Sequence, residues 1–231
     1  PLRCFWRPGS RPQLVHPDAK GDQLRDDLLF TTGGIRGQKK GMDKFYPRSF
    51  NMGVRREVYK ALGGFSNMRF GEDIDFSTRI FKGGYRCRLF PEAWVYHKRR
   101  TDLRKFFKQV HNSGIARIHL SRRHPGTHKL VHLLPAVFTL GVVFLLLSAV
   151  LLAIFGHGCL ALTALSPLFL FSSLIGLYAT RLAHSLGVGC RAIAAAFVQL
   201  LGYGSGYLRA WWQCRVLHSG EFEAFSDSFY Q

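Results

Sequence analysis

Cysteine is sparse and scattered: Cys4, Cys87, Cys159, Cys190 and Cys214 are five in 231 residues, with no C-x-x-C pair among them. That spacing supplies neither a disulfide framework nor a zinc site, and it suits a reducing compartment for the polar part of the chain. Acid is scarce too, with 14 Asp and Glu against 32 Lys and Arg, a formal net charge of +18. An excess of that size first suggests a polyanion, either nucleic acid or an anionic membrane surface. No zinc-finger spacing, RNP motif or helix-turn-helix pattern accompanies it, so nucleic acid is not an expected partner. The cluster Gly33-Gly34-Ile35-Arg36-Gly37 lacks the strand-turn-helix setting of a dinucleotide fingerprint and reads as surface loop. Neither an initiator Met, a charged leader nor an apolar signal core opens the chain, which suggests a piece of a longer protein.

What is present divides in two. Up to about Lys129 the sequence is polar, aromatic and very basic; beyond it Leu, Ala, Val, Phe and Gly dominate. Residues 1–129 are therefore expected to be a soluble domain, and residues 130–231 a membrane anchor of two to three helices with a short polar tail. Leu133 to Phe155 is uncharged and long enough for a hydrocarbon layer of about 30 Å at about 1.5 Å per residue. Gly158 to Thr180 matches it, with Gly156-His157-Gly158 as a tight turn between them and Pro167 predicting a kink. Ala192 to Leu208 is shorter and reads as a third span or a re-entrant segment; its Gly202 and Gly206 have the spacing that lets helices approach closely. Arg99, Arg100, Arg104, Lys105, Lys108, Arg117, Arg122, Arg123 and Lys129 crowd ahead of the first apolar run. With Arg181 and Arg191 around the second loop, the positive-inside rule puts both regions on the cytoplasmic side. Leu103 to Leu120 predicts an amphipathic helix lying in the membrane interface.

The chemistry concentrates between Ser49 and His97. Gly71-Glu72-Asp73-Ile74-Asp75 places three carboxylates within four positions, just after a glycine. Ile74, Phe76, Ile80 and Phe81 then recur at helical spacing, and Gly83-Gly84 ends the run. Glu72 and Asp73 thus fall in a first helical turn, a junction that can present a base to a substrate. Acids are favoured there by the helix dipole in any protein, so the position alone does not make them catalytic. Arg55 to Leu62 predicts a short helix closed by Gly63-Gly64. Tyr85 to Phe90 alternates apolar and basic residues as a half-buried strand would, and Trp94 to His97 predicts a second short strand. Residues 1–43 read as loop, broken by one short element.

Taken together, Asn51-Met52-Gly53, Gly63-Gly64-Phe65, Gly71-Glu72-Asp73-Ile74-Asp75 and Val95-Tyr96-His97 resemble the acceptor-side half of family 2 glycosyltransferases with the GT-A fold. The resemblance covers about Phe45 to Arg117. It implies an α/β fold, a partial GT-A domain followed by the helical membrane region, with the catalytic domain on the cytoplasmic face of a multi-pass membrane protein. It also implies inverting transfer of a sugar from a nucleotide-sugar donor to a lipid-linked or saccharide acceptor. Asp73 matches the family's general base, Glu72 is its orienter or a partner of the acceptor, and Asp75 is a supporting acid. Asn51, Gly71 and Gln109 fall on the substrate-binding side. A divalent metal, Mn²⁺ or Mg²⁺, is the implied cofactor, with His97 as a ligand and the main ligands outside this chain, since no Asp-x-Asp motif precedes the acidic turn. The segment Gln109 to Arg117 lies where processive relatives carry Gln-x-x-Arg-Trp, and its missing Arg-Trp argues against polymer synthesis. The alternative reading is a non-catalytic membrane scaffold or anionic-lipid-binding protein.

Overall fold

The computed structural model describes residues 49–68, 70–87 and 102–219. Within them every regular element is helical: α1 (Arg56–Ala61), α2 (Glu72–Lys82), α3 (Leu103–Arg123), α4 (Leu134–Ile154), α5 (Gly158–Ala164), α6 (Ser166–Ala183) and α7 (Leu186–Arg215), with 3₁₀ turns at Ser49–Asn51 and Leu130–His132. The expected α/β architecture is corrected here, because no strand or sheet occurs among the described residues. Tyr85 to Cys87, the described part of the first expected strand, has no regular structure. Tyr85 and Cys87 instead pack on Phe76 and Ile80, so their alternation records packing against a helix rather than a sheet face. Trp94 to His97 and the loop expected at residues 1–43 lie outside the described residues.

Local chemistry sets the helix ends. Gly71 has φ +84° at the N-cap of α2, a left-handed conformation that glycine adopts without a side-chain clash. The Asp102 carboxylate caps α3 by accepting the N–H of Arg104 at 2.8 Å. Pro167 does not kink one long helix. The helix stops at Ala164 and a new one starts at Ser166 with Pro167 in its first turn, where a missing N–H costs nothing.

The third apolar segment, expected to be the shortest, is the longest helix and the centre of the fold. At thirty residues, α7 measures about 45 Å. Its C-terminal half carries Gly202, Gly204 and Gly206, and neighbouring backbone comes close to each. A Cβ built on Gly206 would sit 1.9 Å from the His111 carbonyl oxygen of α3, and one on Gly204 would sit 2.2 Å from the Pro135 carbonyl oxygen of α4. From the other side, a Cβ on Gly114 of α3 would meet the Tyr203 carbonyl oxygen at 2.2 Å. Residues two apart on a helix point to nearly opposite faces, so this run lets α3 and α4 close on α7 from different sides. Ile115, Ile118, Ala136, Tyr207, Ala210 and Cys214 fill the space around the crossing.

The N-terminal half of α7 pairs antiparallel with α6. Phe171 packs on Phe197, Gly176 faces Ile193, and Gly189 lies under Thr180. Three helices are long and apolar enough to cross a membrane: Leu130–Ile154, Ser166–Ala183 and Leu186–Arg215. Their outward residues, among them Leu140, Phe144, Leu147, Phe169 and Leu174, are exposed, as lipid-facing positions would be.

Two sequence expectations change. First, α3 is not a helix lying on the interface by its apolar face alone, because Phe106, Ile115, Ala116, Ile118 and Leu120 are buried and α3 packs along α7 across the expected boundary at Lys129. Second, the basic α3 and the turn bearing Arg181 and Arg191 do not gather together. The α6–α7 turn lies at the N-terminal end of α7, and α3 lies against its C-terminal half.

Gly206→Ala is expected to destabilise the protein by about 1–3 kcal/mol, because its new methyl meets backbone that no rotamer change can move. Gly141, whose Cβ would meet nothing within 4 Å, is the control: Gly141→Ala should be neutral or slightly stabilising, as helix propensity dictates. Thermal unfolding of both variants in detergent checks this, and equal midpoints would refute the backbone contact.

Candidate active site

The acidic turn is built on a small aromatic core. Phe76 is fully buried, its ring centroid 4.9 Å from that of Phe65 and 5.6 Å from that of Tyr59. Met52, Val54 and Leu62 close around Phe76 and Ile80, which ties the segment after Asn51 to α2. Two contacts then hold α2 against α3. At Gly71 a Cβ would lie 3.1 Å from Leu120 and 3.5 Å from Ala116 of α3, so the start of α2 touches α3 at a position a larger residue would push away.

The second contact is ionic. Asp75 is buried, with 2% of its surface exposed. Its Oδ2 accepts two N–H groups from Arg79, at 2.9 and 2.8 Å, and its Oδ1 lies 2.8 Å from Nε2 of His124, just beyond the end of α3. The other ring nitrogen of His124 is 3.3 Å from the Lys82 ammonium. The tautomer with its proton on Nε2 satisfies both contacts, donating to Asp75 and accepting from Lys82. Arg79 also donates to the Leu62 carbonyl and lies over the Phe76 ring. Burial by itself would raise the Asp75 carboxyl, but hydrogen bonds from His124 and Arg79, with the Arg79 charge, outweigh it and hold the group below its ordinary value.

Glu72 and Asp73 stand on the half-buried edge of this scaffold. Burial, followed by the neighbouring Asp73 charge, pushes the Glu72 carboxyl up, while a backbone hydrogen bond partly opposes them. Asp73 Oδ1 accepts the N–H of Ile74 at 2.8 Å, and its Oδ2 has no hydrogen bond among the described residues. The pair thus combines a carboxyl whose pKa is raised, chiefly by burial, with a neighbour that has an open oxygen.

Of the sequence-derived candidates, Gly71, Glu72 and Asp73 form one unit. Asn51 is half-buried at the 3₁₀ turn that leads into the same aromatic core. Gln109 stands apart, exposed on α3; it lies seven residues before Ala116, or roughly 10 Å along the helix. His97 lies outside the described residues. No group of three His, Cys, Asp or Glu that could hold a metal occurs among the described residues, and two adjacent carboxylates do not by themselves fit a divalent cation. Sequence reasoning missed His124. The Asp75–Arg79 pair has the i, i+4 spacing of a helical ion pair, but only the docking of α2 on α3 brings in a histidine 49 positions away.

The model of glycosyl transferase family group 2 matches residues 49–201, more than half of the chain, and the chain belongs to that family. It is similar to the pre-mycofactocin glycosyltransferases of Mycobacterium tuberculosis strains CDC 1551 and H37Rv. To each it is 36% identical over 72 residues, which is 31% of this chain and 15% of the relative. The matched stretch therefore spans under one sixth of those curated relatives. No solved structure matches the chain.

Asp75→Asn is expected to lower stability by about 3 kcal/mol or more, as breaking a buried ion pair does. A carboxylate whose folded pKa lies below its ordinary 3.8 stabilises the fold above that pH, and the contribution fades as pH falls through the lower folded value. The wild-type melting temperature should therefore drop on acidification below about pH 4, while that of Asp75→Asn should change less over the same range. Parallel acid-dependence in the two proteins would count against the buried pair.

Proposed function

We propose that this chain forms the acceptor-side and membrane part of an enzyme that moves a sugar, with inversion, from a nucleotide-sugar donor to a lipid-linked or saccharide acceptor. The observation that carries the reading is the Gly71-Glu72-Asp73 turn, braced on α3 by Gly71 and by the Asp75–His124 contact, within a chain of a glycosyltransferase family. Asp73 takes the proton from the acceptor hydroxyl as its oxygen forms a bond to the anomeric carbon. The bond from that carbon to the diphosphate breaks on the opposite face, and the nucleotide diphosphate leaves with the electron pair. Glu72 orients Asp73 or hydrogen-bonds the acceptor and fixes its position. Asn51, Gly71 and Gln109 line the acceptor side. The divalent cation that the family resemblance implies would take its ligands outside the described residues, His97 among them.

We place the acidic turn and α3 on the cytoplasmic face, supported by the exposed Arg104, Lys105 and Lys108. In sealed vesicles, an impermeant thiol reagent should reach a cysteine introduced at Lys105 from the cytoplasmic side and one introduced at His184 from the other. Labelling of both from one side would sink this orientation.

The catalytic assignment is tested in the protein that carries this chain. Asp73→Asn keeps the size and one oxygen of the side chain but removes the base, so transfer should fall about 10²–10⁴-fold with donor binding and melting temperature little changed. Near-normal turnover would leave Asp73 as a helix-start acid and nothing more.

A further inference from the structure

From residue 103 to residue 220 the chain carries eleven Lys and Arg and not one Asp or Glu. Cations on an open surface need no partner but water. Arg117 is different: its Nε is buried on α3 and has no hydrogen-bond partner among the described residues. A buried guanidinium N–H without an acceptor is costly, and a site that holds one is short of an anion.

The groups around Arg117 are also donors. Arg117, His128 and Lys129 all lie within electrostatic range of His132. Nδ1 of His132 accepts the Lys129 backbone N–H at 3.0 Å, which leaves Nε2 as the N–H donor of that ring. The His128 ring centroid is 5.7 Å from that of His132, and its Nε2 is 3.0 Å from the Tyr207 hydroxyl of α7. The cluster therefore joins α3, the turn before α4 and α7, and its own segments supply no carboxylate to neutralise it. A planar guanidinium beside imidazole, ammonium and phenol groups suits an oxyanion with several acceptor oxygens, as a phosphate has.

What adjoins the cluster names the rest of the ligand. Leu130 and Leu134, beside Lys129 and His132 at the head of the first membrane helix, are 85% and 62% exposed. An inorganic phosphate would leave both in water, whereas a lipid phosphate brings hydrocarbon to cover them. We propose that Arg117, His128, Lys129, His132 and Tyr207 bind the phosphate of a membrane lipid, whose chains lie along Leu130 and Leu134. The site does not depend on the sugar-transfer reading and holds whether or not the bound lipid is an acceptor.

Titration of the detergent-solubilised full chain with dioleoyl phosphatidic acid, read by native mass spectrometry, tests this directly. The wild type should retain one lipid preferentially over phosphatidylcholine. Arg117→Gln should weaken retention roughly tenfold or more, the effect of losing a charge-assisted hydrogen bond, without lowering the lipid-free melting temperature. Lys105→Gln, which removes an exposed cation elsewhere on α3, should bind as the wild type does. If Arg117→Gln does not fold, His128→Phe carries the test, since it keeps a ring and removes the nitrogen that meets Tyr207. Unchanged retention in both cluster variants, or equal losses in Arg117→Gln and Lys105→Gln, would overturn the site. Competition by inorganic phosphate as strong as by the lipid would overturn the assignment to a membrane lipid.

Discussion

Everything the chain positions depends on the bare backbone of α7 between Gly202 and Gly206. Three glycines at alternate positions strip that stretch of side chains, so α3 and α4 approach it until backbone meets backbone. In a membrane setting, where lipid is as apolar as leucine, such close approach is a main source of helix association. Tyr203 and Tyr207, between and beyond the glycines, keep the surrounding contacts large; Tyr207 reaches His128 in the turn before α4. One short motif thus fixes the crossing of three helices and the place of the polar layer above them.

That layer is held to α3 by a contact of another kind. Asp75 collects Arg79 from its own helix and His124 from the end of α3, and breaking such a buried pair costs far more than a surface pair contributes. Glu72 and Asp73, one turn earlier, make none of these contacts. The helix therefore divides its acids: the buried one fixes position and the two at the edge take no part in that contact. The Glu72 carboxyl is raised mainly because this edge is half-buried, with the neighbouring Asp73 charge adding to it.

Much of this was legible before any coordinates. The 3.6-residue period from Ile74 to Phe81, the glycine stop and the acidic first turn define α2 almost to the residue, and uncharged length marks the membrane helices. The Gly202–Gly206 spacing announced a close helix contact, though not that its partner would be α3. The segment around it was read too short, as Ala192 to Leu208; the helix continues through Arg191 and Arg209 on either side, with the Arg191 side chain bonded back to the Gly187 carbonyl. The strand reading failed over Tyr85 to Cys87, its described part, because alternation reports only that every second residue is covered, and a helix can cover it as well as a sheet can. His124 and Arg117 were illegible for a common reason. Each acquires its meaning from a residue on another helix, and no local period encodes that.

The length of α7 has a further consequence. About 45 Å of helix exceeds a hydrocarbon layer of about 30 Å by some ten residues, close to the stretch from Gly206 to Arg215 that borders α3. Span and support are then one continuous rod, with α3 and α2 fastened to its protruding end like a platform on a mast. No slack tether between α3 and α7 lets the acidic turn search the space above that end. Its height over the end of that rod is constant.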